Sequence, residues 1–152
     1  MSGEGPTERD WAVRTSIYES FATTGRAPAI GALAARHGVT EHSVQGSLER
    51  LFEAHEIAPL PGGGGVWMAN PFSSVPTDFV VETTEMSCWA NCAWDALGVP
   101  AIIGGDARIR MHCAQSGDPL ELAVEAGALK GDEGVIHLVT PIRDAWVDIG
   151  FT

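Results

Sequence analysis

Between residues 9 and 24, RDWAVRTSIYESFATT, apolar side chains recur at Trp11, Val13, Ile17, Tyr18 and Phe21. Spacings of three and four predict a helix with one buried stripe, and Gly25 closes it. The following stretch, GRAPAIGALAARHGVTEHSVQGSLERLFEAHEI, reads as helix, turn, helix. Ile30, Leu33 and Ala34 line the first helix and Gly38 supplies the turn. Thr40 caps a second helix whose apolar face is Val44, Leu48, Leu51 and Phe52. An extended piece, Glu56 to Leu60, then reverses through PGGGG into a strand at GVWMAN.

The pattern changes after residue 69. NPFSSVPTDF, residues 70–79, is a Pro-punctuated connector whose Phe72, Val75 and Phe79 call for burial. VVET predicts a strand. A loop follows, then a short helix that starts near Cys92 and stops at Pro100. From there period two takes over. DARIRMHC places Ala107, Ile109, Met111 and Cys113 on one face and Arg108, Arg110 and His112 on the other. LELAVE alternates again, with Leu120, Leu122 and Val124 together, and VIHLVT and WVDIGF predict two more strands. The expected fold is α+β. A three-helix, winged-helix-like lobe over residues 1–69 leads through the connector to a mainly antiparallel sheet over 80–152, with one short helix bearing Cys92 and Asp95.

Charge narrows what the helical lobe does. The chain carries 20 acidic and 9 basic side chains, a formal net of −11. Residues 1–60 hold eight acidic and five basic groups, and the second helix of the helix–turn–helix pair sets Glu41, Glu49 and Glu53 against Arg50 alone. Little is available to neutralise phosphate, so DNA binding is disfavoured and a packing or substrate-covering role is expected. The hydrophobic fraction of 45% fits a folded globular chain, no apolar run reaches membrane-span length, and the polar, acidic MSGEGPTERD lacks the layout of a secretory signal. A cytoplasmic protein without membrane association is expected.

Three cysteines, Cys88, Cys92 and Cys113, are an odd number for a disulfide framework. Cys88 and Cys92 do not have C-x-x-C spacing. A structural zinc site would have to recruit His112, whose neighbour Cys113 points to the opposite strand face, so zinc is disfavoured. Cys113 is expected to be a buried structural thiol. Cys92 carries more chemistry. At the first turn of a helix it meets unpaired N–H groups that favour the thiolate. Asp95, one turn on, reaches the same side, although its charge opposes that ionisation. A soft metal centre arriving between them answers both needs, because thiolate binds soft metals strongly and the carboxylate is left free to handle a proton. Cys88, on the expected loop, is the candidate second metal ligand beside Cys92. Trp89 and Trp94 are expected to keep water from the pair. Two other readings stand beside this one: a Cys–His pair with His112 or His137 attacking carbon, and a plain core cysteine with Asp95 facing outward.

The stretch WANCAWDALGVPAIIGGDARIRMHCAQSG resembles the organomercurial lyases, or alkylmercury lyases. It joins Cys-Ala-x-Asp-x-Leu to Pro-Ala-x-Ile-Gly and then to a strand ending His-Cys-Ala before a Gly turn. The resemblance implies cleavage of a carbon–mercury bond by protonolysis. Cys92 then corresponds to the primary mercury-binding cysteine, Asp95 to the aspartate that moves a proton to the leaving carbon, and Cys113 to a structural cysteine. It also implies an organomercurial small molecule as substrate and no organic cofactor. Hg(II) remains as product, for release to small thiols or a mercuric reductase. The family pattern further places a second catalytic cysteine on a later strand, at or just beyond Thr152 after the segment WVDIGFT, where this sequence has none: the expectation is either a fragment of a longer protein, truncated before that cysteine, or a divergent member that lacks it. Cys88 is the candidate substitute. The alternatives are a noncatalytic soft-metal-binding or metal-responsive regulatory protein, and a cysteine-dependent enzyme acting on another substrate.

Overall fold

The computed structural model describes residues 5–150. Helix α1, Glu8–Thr24, starts from a capping box at Thr7: its hydroxyl accepts from the Asp10 N–H, and the Asp10 carboxylate accepts from the Thr7 N–H at 2.7 Å. Gly25 ends it at φ 69°, in the left-handed region. A Cβ there would also collide with the Ser87 carbonyl, so the position demands glycine twice over. Helix α2, Ile30–His37, ends at Gly38, and α3, Glu41–Glu53, is capped by the Thr40 hydroxyl, as the hydrophobic spacing predicts. Their stripes converge on a core of Val13, Ile17, Phe21, Leu33, Val44, Leu48 and Leu51.

Eight strands follow: β1 Ala58–Pro59, β2 Val66–Ala69, β3 Phe72–Ser73, β4 Val80–Thr83, β5 Ser87–Ala90, β6 Ala107–His112, β7 Pro119–Glu125 and β8 Ala128–Gly131. They form one sheet in the order β1-β2-β3-β5-β4-β6-β7-β8, and every pairing is antiparallel. The glycine-rich reversal thus joins β1 to β2, and that hairpin continues through β3 into the rest of the sheet. Phe21 of α1 stacks on Phe72 of β3 with ring centroids 5.0 Å apart, fusing the helical core to the sheet core. The expected α+β order of N-terminal helices before an antiparallel sheet is therefore present. No helix among the described residues is long and apolar enough to cross a membrane.

Four expectations are corrected. The loop before Cys92 contains β5, paired to both β3 and β4. Helix α4, Ala93–Ile103, does not stop at Pro100 but carries it inside. Its apolar surface lies on β4, β5 and β6, and that burial offsets the hydrogen bond proline cannot donate. VIHLVT is not a strand. The strand there is β8, made by a two-residue turn at Ala126 (φ 50°) and Gly127 (φ 77°) that folds ALKG back on β7. Nor is there a strand at the described part of WVDIGF, residues 146–150: Ile142–Val147 is a 3-10 helix that lays Trp146 on His55, ring centroids 4.8 Å apart. The last two residues of WVDIGFT, where the family pattern calls for the second cysteine, lie outside the described residues.

Candidate active site

Strand β5 delivers the site. It runs into Asn91 and Cys92, and α4 begins at once, because Cys92 takes the N-cap with extended φ and ψ. The Cys92 sulfur accepts from the Asp95 N–H at 3.4 Å, and the Cys92 thiol donates to Asp95 Oδ2 at 3.3 Å. The side-chain pairing repeats that of Thr7 and Asp10 at α1, with sulfur in place of a hydroxyl. The sequence spacing foresaw the pairing, and the structure brings both side chains together, partly buried, at the first turn of α4.

The protonation balance differs from the expected depressed thiol. Burial pushes the Cys92 thiol up. The Asp95 N–H pulls the other way, and the Asp95 carboxylate adds to the rise. Burial also raises the Asp95 carboxyl, against the Cys92 hydrogen bond, which favours its charged form. Burial thus disfavours the charged form of both groups, and the thiol proton lies between the sulfur and a carboxyl oxygen. Neither gains from a further negative charge, and both gain from an electrophile that takes the sulfur's electrons.

Cys88 sits elsewhere. On β5 it points into the hydrophobic core, 1% exposed and close to Gly25, and burial pushes its thiol up to about 11. As placed, it is a core thiol and not a second sulfur available to an incoming ion. Cys113, expected buried, is partly exposed in the turn after β6, where the Ser116 hydroxyl and the Ser116 and Gln115 N–H groups hold its thiol below the ordinary value. The His112 ring is bound to Asp78 at 2.6 Å, and His137 lies in the exposed stretch after β8, so neither is the partner of the Cys92 thiol, which is Asp95. Trp94 is 66% exposed and does not seal the pair from water, while Trp89 lies under the Arg26 guanidinium at 4.4 Å. Among the described residues no three His, Cys, Asp or Glu side chains converge as a metal site.

Sequence reasoning missed Asn91. Its N–H donates to Pro71 O at 3.2 Å, and its Nδ2 donates to Asn70 Oδ1 at 2.8 Å and to Phe72 O at 3.2 Å. Adjacency to Cys92 was the one signal that could have marked it, since the partners lie about twenty residues away.

Residues 72–151 match the family model described as alkylmercury lyase, MerB. An alkylmercury lyase of Pseudomonas putida is 31% identical over 102 residues, taking in 61% of this chain and 46% of that protein. One of Bacillus cereus is 28% identical over 144 residues, with 91% of this chain and 62% of that protein covered. The chain thus spans between about half and three-fifths of the length of these relatives. Among solved structures, the mercury-bound form of MerB2 matches with a TM-score of 0.66 at 22% identity, over 82% of this chain and 59% of that one, which shows a shared fold.

Proposed function

The chain belongs to the alkylmercury lyase family, and from that premise we propose that Cys92 and Asp95 cleave a carbon–mercury bond by protonolysis. The observation that carries the reading is the reciprocal bond between the Cys92 thiol and Asp95 at the N-terminus of α4. An organomercurial arrives with its mercury on a small thiolate or other leaving ligand. As Cys92 sulfur bonds to mercury, its proton passes to Asp95 Oδ2, and the displaced ligand departs as an anion. Asp95, now neutral, is the acid form that burial already favours. It then gives the proton to the carbon on mercury, the carbon–mercury bond breaks, and the products are a hydrocarbon and Hg(II) on the Cys92 thiolate, with Asp95 again a carboxylate. Sulfur and proton donor are held within one helical turn, so the protonation is an intramolecular step. A small thiol, or a mercuric reductase, then withdraws Hg(II).

The three helices and the β1–β2 hairpin have the order of a winged helix, which we read as a packing lobe and not a DNA reader. Arg50, the cation of α3, is spent on Asp10, with Nε and Nη2 each 2.8 Å from a carboxylate oxygen.

The test is hydrocarbon release from an alkyl- or arylmercurial in the presence of excess thiol. Release by the protein, abolished in Cys92→Ser, is expected. A second reading, soft-metal binding without cleavage, draws on the core position of Cys88, which leaves Cys92 without a second sulfur from β5. Stoichiometric capture of mercury with no hydrocarbon released would select it.

A further inference from the structure

The residue just before the reacting thiol is tied to a separate part of the chain more firmly than a β5–α4 junction requires. Asn91 makes three hydrogen bonds, all to consecutive residues of one turn: Asn70, Pro71 and Phe72. That turn is itself fixed from α1, where the Tyr18 hydroxyl donates to Asn70 O at 2.9 Å and the Tyr18 ring meets the edge of Phe72 at 6.3 Å. The Arg14 guanidinium covers the outer face of the same ring at 4.5 Å. On its other side the turn lies against α4, where the Pro71 ring is at van der Waals distance, 3.5 Å, from where a Cβ on Gly98 would sit. The Asn70–Pro71 turn thus touches the chain both before Asp95, at Asn91, and after it, at Gly98.

We propose that Asn91 is a positioning residue for the Cys92–Asp95 pair, its amide using the Asn70–Pro71 turn as an anchor to hold the first turn of α4 so that the Asp95 carboxyl faces the Cys92 sulfur. The inference rests on the lyase reading for its consequence in turnover, but not for its geometry. Burial of Asn91 Oδ1 without a hydrogen-bond partner among the described residues agrees with it. A side chain selected for local stability alone would satisfy both ends of its amide; here the donor end is fully engaged and the acceptor end is left over. Asn91 touches neither sulfur nor substrate in this role. It acts through the β5–α4 junction: without that anchor the first turn of α4 is free to shift and to carry the Asp95 carboxyl away from a thiol 3.3 Å distant.

The test uses Asn91→Leu and Asn70→Ala in a Cys113→Ser background, with p-hydroxymercuribenzoate as the probe. Both variants are expected to form the one-to-one mercury adduct at Cys92. Release of benzoate from that adduct should slow by on the order of 10–100-fold in Asn91→Leu, and by less in Asn70→Ala, which leaves Asn91 the Phe72 carbonyl. The double variant should be no slower than Asn91→Leu alone. The infrared S–H stretch of Cys92, isolated by difference from Cys92→Ser, should move in Asn91→Leu toward the position it takes in Asp95→Asn. An unmoved band together with release within twofold of the parent would overturn the positioning role. If Asn91→Leu does not fold, Asn70→Ala carries both readouts with the same two outcomes. Should the parent form the adduct and release no benzoate, the lyase reading fails, while the S–H band still decides the role of Asn91.

Discussion

Two helices in this chain begin with the same device and put it to opposite uses. At α1, Thr7 caps the helix and Asp10, three residues on, bonds back to it; at α4, Cys92 caps the helix and Asp95, three residues on, bonds back to it. The backbone geometry is shared, with both caps extended and both aspartates in the first turn. The surroundings are not. Asp10 is fully buried, yet Arg50 grips it with two hydrogen bonds, and that guanidinium holds its carboxyl well below the usual range despite desolvation. Among the described residues Asp95 has no such cation. Its side-chain hydrogen bond is to a thiol, and burial raises its carboxyl. A paired carboxylate locks a fold, whereas an unpaired one beside a thiol stores a proton that can move. Local motif alone does not separate an aspartate held as an ion from one whose carboxyl is raised; the third residue to arrive does.

The largest expected effect is on the reactive side of that comparison. Asp95→Asn keeps the cap geometry and removes the proton carrier, so hydrocarbon release should fall by about 10²–10⁴-fold. The thermal midpoint should hold or rise, because the variant no longer desolvates a carboxylate. Asp10→Asn should do the reverse. Release per folded molecule stays unchanged, and unfolding in urea shows a loss of about 2 kcal/mol, less than for a fully buried pair because Arg50 keeps 39% of its side chain in water. Were Asp10→Asn to abolish release in folded protein, or Asp95→Asn to leave it intact, the division between the two aspartates would collapse.

Acidity separates the same pair with opposite signs. The Asp10 carboxyl is depressed in the fold, so its stabilisation is complete above the unfolded value of about 3.9 and is lost as pH falls through the folded value. The Asp95 carboxyl is raised, so it favours the fold below the unfolded value, and that contribution is lost as pH rises through the folded value. Urea midpoints measured from pH 2 to 7 should therefore show a flatter acid limb in Asp10→Asn. In Asp95→Asn they should show a flatter decline from mildly acid to neutral pH.

These contrasts also show what residue order conveys and what it leaves out. Helices α1 to α3 were legible because each buries one stripe and ends on a glycine or starts on a threonine, and β6 because its alternation of buried and exposed residues is complete. Strand β5 was not, because its buried positions, Cys88 and Ala90, are small while the large apolar Trp89 lies on the other face, so Ser-Cys-Trp-Ala shows no clear hydrophobic alternation. Helix α4 ran past Pro100 because its support comes from the sheet beneath it and not from its own hydrogen bonds. The apolar VIHLVT was misread as a strand because periodicity says nothing of whether an edge is available to pair with, and β8 had already taken the edge of β7. At the site, Cys92 and Asp95 were legible because they lie one helical turn apart. The core position of Cys88 and the anchoring of Asn91 were not, since both depend on segments distant in sequence.

The smallest expected change in stability is also the sharpest discriminator between the two caps. Cys92→Thr rewrites the α4 cap with the residues that open α1, a threonine followed three places on by aspartate. If the devices are equivalent in folding terms, stability should stay the same or rise by up to about 1 kcal/mol, since a hydroxyl is a better N-cap acceptor than a thiol. Mercury capture at the site and hydrocarbon release should both disappear, because the hydroxyl neither binds a soft metal nor yields its proton at neutral pH. Calorimetry and a one-to-one mercury titration of the same preparation read the two quantities together. A variant that loses more than about 2 kcal/mol would show that the sulfur fills a space at the β5–α4 junction that threonine cannot. A variant that still releases hydrocarbon would move the reacting atom away from position 92. Retained stability with lost reactivity is the outcome that makes sulfur, and not the cap it sits in, the difference between the two ends of this fold.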